Sequence, residues 1–284
     1  MNGFRALIGG LLSAPRHWRM LLLWLVASLI PAIVASVPLR TMIANTFGFS
    51  PQAADIDAGR NIPLLADGIV SMLRHGGGNA LGVHVGVTAI VALLLLSPLL
   101  SGMLVASLRE GRPLGFGEVM HGGLREYWRQ FRLWLVLAIP AGLLIGAASL
   151  LSNMIGKSAD AAILAGEAKH LHWGASAVLL VAIAIAHCAL EAGRAQFAAD
   201  GQLRAAWRAL TRGVGLMLRR PFSVALVYLA TVLLAALVSP VVVLNLIKGN
   251  VVLAMVLLQF GTLVLGGLRA ARLIGLARLS AGSR

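Results

Sequence analysis

The run VTAIVALLLLSPLL, residues 87–100, carries no charge and shows none of the polar alternation of a half-buried strand. In hydrocarbon such a run satisfies its backbone hydrogen bonds internally only as a helix. It lies within a longer stretch, 81–107, that exceeds the ~20 residues needed to cross a bilayer. Five more stretches have the same character, at 20–38, 133–152, 173–190, 222–244 and 250–268. Barrel strands are a poor match, because they are segments of ~10 residues with alternating polarity. The expected fold is all-α: a polytopic transmembrane helical bundle of six spans, forming one integral membrane domain over 1–284.

Composition points the same way. The chain is 59% hydrophobic and 12% charged over 284 residues, with a mean hydropathy of +0.88, whereas soluble domains are about 45–50% apolar and about 25% charged. Its single cysteine, Cys188, excludes an internal disulfide and a multi-cysteine metal site. A net charge of +14 would suit a nucleic-acid binder, but the arginines are interleaved with span-length apolar runs, which argues against nucleic acid as a partner. The first stretch has the basic start and small residues of a signal peptide. Its long lead and full span length read instead as an uncleaved anchor.

The basic residues are segregated. Eighteen lie in 1–19, 108–132, 191–221 and 269–284; the six others are Arg40, Arg60, Arg74, Lys157, Lys169 and Lys248. Acidic residues divide evenly, five and five, so they do not create the asymmetry. The positive-inside rule then places both termini in the cytoplasm of a bacterial inner membrane. It makes 39–80 an outer loop, 108–132 and 191–221 basic cytoplasmic loops, and 269–284 a cytoplasmic tail.

Both cytoplasmic loops read as amphipathic. In 203–218, Leu203, Trp207, Leu210, Val214, Met217 and Leu218 recur at spacings of three and four, while Arg204, Arg208 and Arg212 form a second row. Such a helix lies in the interface, with its guanidinium groups at lipid phosphates. Asp200 is placed to cap its start and Pro221 to open the next span. Before the third span, Leu124, Tyr127, Trp128 and Phe131 face away from Arg125, Arg129 and Arg132. The arginines read first as an interfacial connector and second as a surface for an acidic lipid or protein partner.

Gly111, Arg112, Pro113, Phe116, Gly122, Gly123 and Tyr127 form a pattern that resembles a group of uncharacterised bacterial six-span inner-membrane proteins. The later EAGRAQFAAD, with RAAWRAL and RRP, is similar to that group's second cytoplasmic loop. More distantly, the layout looks like the membrane domain attached to some bacterial glycerophosphodiester phosphodiesterases. The resemblance implies a fold and no activity, since the soluble catalytic domain of those enzymes has no counterpart here.

Ionisable residues near a span end are the strongest functional candidates. His187 and Glu191 stand at i, i+4 with Arg194 one turn on, read either as a helix-end ion pair or as a proton-linked or headgroup-binding site. His84, His170 and His172 lie at similar depth on the outer side, without a carboxylate motif to make a metal site. No Walker loop, nucleophile elbow, HExxH or CxxC occurs, so neither a cofactor nor catalysis is expected. Pro31, Pro98, Pro140 and Pro240, and the small residues Ala138, Gly142 and Gly146, fit close helix packing or the broken helices of transporters. The expectation is a non-enzymatic membrane scaffold or accessory subunit contacting lipid or partner proteins, with a small transporter or permease component as the alternative.

Overall fold

Span-length apolar runs favour helices because a helix closes all its backbone hydrogen bonds within one segment. The computed structural model describes residues 2–48, 51, 55, 80–110, 112–162, 164–238, 240, 241 and 251–282. Among these the chain is helical, with no strand: α1 (Gly3–Ser13), a 3-10 turn (Ala14–His17), α2 (Trp18–Phe47), α3 (Ala80–Arg109), α4 (Phe116–Asp160), α5 (Ala165–Ala199), α6 (Ala206–Arg219), α7 (Pro221–Ala236) and α8 (Val251–Ala281). Of the expected outer loop 39–80, residues 49, 50, 52–54 and 56–79 lie outside the described residues.

Among the described residues four helices are long and apolar enough to cross a membrane: Gly3–Val34, Phe116–Asp160, Gly166–Ala199 and Met255–Ala281. The pair α6 and α7, bent by 102° at Arg220, makes a fifth if counted as one span. The remaining stretch, 81–107, corresponds to α3, of which Leu94–Arg109 is a shorter apolar helix. Pro31, Pro98 and Pro140 all sit inside unbroken α elements.

Three elements depart from the boundaries expected from hydropathy. The loop 108–132 is helical from Phe116 and continuous with its span, giving one helix of 45 residues. At 1.5 Å per residue it is about 68 Å long, twice the hydrocarbon thickness. The segment 1–19 is the packed helix α1 and the turn that follows it. The expected tail, from Arg269 to Ala281, extends α8 and is its most buried part, with Ala270, Ala271, Leu273, Leu276 and Leu279 all inside. Apolar periodicity explains this: those residues recur at helical spacing past the point where mean hydropathy falls.

The core therefore sits at the arginine-rich end, built on Met20, Met103, Leu133, Phe197 and Leu273. Glycine sets the crossings there. A Cβ on Gly213 of α6 would lie 2.7 Å from the Gly193 nitrogen of α5, and one on Gly102 of α3 would lie 2.7 Å from the Gly123 carbonyl oxygen of α4. Away from this end α4 and α5 expose their apolar residues, as at Ile139 and Leu143, each 72% accessible. Ala138, Gly142 and Gly146 face outward too, and a Cβ on either glycine would meet nothing within 4 Å.

Candidate functional site

Helical geometry puts His187, Glu191 and Arg194 on one face of α5. That face turns into the bundle, so Glu191 and Arg194 are buried. Arg194 Nη1 donates to Glu191 Oε1 at 2.7 Å. From α8, Arg269 Nη2 comes to 3.4 Å from the same oxygen and Arg272 Nε to 3.5 Å from Oε2. One carboxylate is thus enclosed by three guanidinium groups from two helices.

Other helices complete the centre. Arg269 Nη2 donates to Ser101 Oγ at 3.1 Å, and Arg194 Nη2 to Ser97 Oγ at 3.5 Å, both on α3. The Arg269 guanidinium lies 4.9 Å from the Trp24 ring of α2, and that of Arg272 lies 5.4 Å from the Tyr228 ring of α7. His187 Nδ1 is 2.8 Å from the Tyr228 hydroxyl. Its Nε2 is 3.9 Å from Glu191 Oε1, beyond hydrogen-bond reach. Five helices converge on a carboxylate with no solvent exposure. Buried ions cost several kcal/mol each unless matched, and here the three arginines are the groups that match Glu191.

A second centre ties α3, α4 and α5. Glu126, almost fully buried, accepts from Arg109 Nη1 at 2.8 Å and from Arg129 Nη1 at 2.9 Å. Arg109 Nη2 donates to the Phe197 carbonyl at 2.7 Å, and the Arg129 guanidinium lies 5.7 Å from the Phe197 ring. Arg129 therefore turns inward, while Leu124 and Trp128 stay exposed. Arg109 and Arg129 share the wall of a cavity of about 360 Å³ with Arg125, Arg204, Glu110 and Glu126.

The remaining expected residues lie on the surface. Arg112 Nη1 and Nη2 donate to Glu118 at 3.2 and 2.8 Å, hydrogen bonds that hold the Arg112 guanidinium above its ordinary value. Glu118 also accepts from the Gly115 amide at 2.7 Å, so this pair marks the start of α4. In α6, Ala206, Ala209, Leu210, Gly213 and Leu216 turn inward, while Trp207 and Leu218 are 62% and 78% exposed. Arg204 and Arg208 are exposed beside them. Asp200 does not cap α6, which starts at Ala206. It accepts from the Gln202 amide and from Arg212 instead, at 3.1 and 3.0 Å. Of the outer histidines, His172 lies 3.7 Å from Asp160, and the His84 side chain lies outside the described residues.

The structure gathers His187, Glu191 and Arg194 in one centre and Arg125, Arg129 and Arg204 around one cavity, and leaves Arg112, Arg208 and Arg212 apart. Arg269, Arg272, Tyr228, Ser97 and Ser101 were not anticipated. The signal for the two arginines was present in GGLRAARLIGLARLS, where apolar residues continue at helical spacing on both sides of them. No family model, curated protein or solved structure matches the chain.

Proposed function

We propose that the protein is a six-span integral protein of a bacterial inner membrane, with both termini in the cytoplasm. It acts without catalysis as a scaffold or accessory subunit whose basic end holds anionic lipid headgroups. The observation that carries this reading is the right-angled elbow between α6 and α7. With α7 crossing the bilayer, a bend of 102° lays α6 along the membrane surface, where exposed Trp207 and Leu218 enter the interface beside Arg204 and Arg208. Each arginine near an anionic leaflet contributes roughly 1 kcal/mol, so the face enriches anionic lipid without a specific pocket.

Two features favour this reading over transport. The buried ionic groups gather at the basic end, and the helices containing Pro31, Pro98 and Pro140 continue through those prolines. Purification from native membranes followed by lipid mass spectrometry tests the proposal. The expected result is retained phosphatidylglycerol or cardiolipin, reduced severalfold in the Arg204→Gln, Arg208→Gln, Arg212→Gln triple variant. Equal retention of zwitterionic lipid, or solute flux by the lone protein in liposomes, refutes it.

A further inference from the structure

The last turn of α1, the 3-10 turn after it, and the ends of α3, α5 and α8 enclose a cavity of about 430 Å³. Its polar wall is Ser13, Arg16, His17, Arg112 and Arg278, and no carboxylate lines it. Ala198 and Ala277 supply an apolar side. Arg112 is paired with Glu118, which lies outside the wall. Arg278 Nη2 donates to Ser13 Oγ at 2.9 Å, and Arg16 makes no ion pair among the described residues. Three guanidinium groups face this space, with two carboxylates behind Arg112: Glu118, its partner, and Glu110, which acts on it from further off.

Helix C-termini meet here, and their partial negative charge is one reason for cations to gather. Arginines that serve helix ends in this fold donate to their carbonyls, as Arg109 does to Phe197 and Arg220 to Gly282, at 2.7 and 2.9 Å. Arg112 and Arg278 donate to a carboxylate and a hydroxyl, and Arg16, exposed like them, lines the same cavity. The cavity volume falls in the range of small-molecule sites, about 300–1,000 Å³.

We infer that this cavity binds a phosphate ester. The phosphate sits between Arg16, Arg112 and Arg278, whose planar donors match its oxygens. His17 supplies a further donor, while the Ser13 hydroxyl donates to the Gly9 carbonyl and steadies Arg278, and the organic part of the ester rests on the alanines. The site is separate from the surface of α6, and its residues belong to other elements. The same phosphate chemistry comes from two sources, a soluble phosphorylated metabolite or a phosphomonoester lipid headgroup.

The test uses the full chain purified in non-ionic detergent and titrated calorimetrically with inorganic phosphate. In parallel, nanodiscs of zwitterionic lipid with and without phosphatidic acid are read by native mass spectrometry. Loss of one charge-assisted hydrogen bond weakens binding about tenfold. Arg16→Gln and Arg112→Gln are each expected to show that loss, with Lys157→Gln, remote in the chain and exposed, within about twofold of the parent. Saturable binding of phosphate identifies a soluble ester as the ligand class. Retention of phosphatidic acid alone, released by Arg16→Gln, identifies the lipid headgroup. The inference is overturned if neither probe binds, or if Arg16→Gln, with an unchanged size-exclusion profile, binds like the parent.

Discussion

Replacing Glu191 by glutamine tests whether the buried ionic centre holds the helices in register. The change keeps volume and removes the only carboxylate among the described residues within reach of Arg194, Arg269 and Arg272, which approach it at 2.7, 3.4 and 3.5 Å. At about 4 Å and an effective dielectric of 20, each attraction is worth about 4 kcal/mol. Neutralising Glu191 also removes its own desolvation cost, several kcal/mol, so the attractions are not lost in full. The expected net loss is that of breaking a buried pair, about 3–5 kcal/mol. At about 2–4 °C per kcal/mol, the apparent melting temperature falls by on the order of 10 °C. The assay is heating in detergent followed by fluorescence-detected size exclusion. The double variant Glu191→Gln, Arg269→Gln restores the charge balance and is expected to recover about half of the loss. A single variant melting within about 2 °C of the parent, or a double variant less stable than the single, refutes the reasoning.

Three further substitutions probe the packing and the elbow. Gly213→Val places a Cβ against the backbone of Ala192 and Gly193, at 2.8 and 2.7 Å, and is expected to destabilise by about 1–3 kcal/mol as α5 and α6 separate. Gly215→Ala, whose Cβ meets nothing within 4 Å, should stabilise by about 0.5–1 kcal/mol through helix propensity; the same heating assay reads both. Trp207→Cys, spin-labelled where the native Cys188 is buried and unreactive, should show a nitroxide at headgroup depth in power-saturation measurements. A label freely accessible to aqueous relaxant would place α6 away from the membrane.

The helices and the charge segregation were legible because both are local properties. Apolar runs at 133–152 and 173–190 fall inside α4 and α5, Pro221 opens α7 as read, and Trp207 and Leu218 are exposed on the helix expected to lie in the interface. Hydropathy averaging failed at 108–132 and at 269–284. A helix continuing beyond hydrocarbon keeps its periodicity while its mean apolarity drops, so α4 and α8 were cut short. The trio on α5 was visible for the same local reason, since i, i+4 and i+7 share a face whatever surrounds them.

Which groups meet that face is a different matter. Arg269, Arg272, Tyr228, Ser97 and Trp24 reach the Glu191 centre from four other helices, and nothing in their spacing along the chain encodes that convergence. The sequence alone determined helical class and the segregation of arginine between apolar runs, because backbone satisfaction and helical period act over a few turns, while the structure turned Leu210 and Arg129 inward from the faces expected for them. Only the tertiary structure decided that one glutamate answers three arginines, because burial and pairing depend on helix crossings set by contacts such as Gly213 on Gly193.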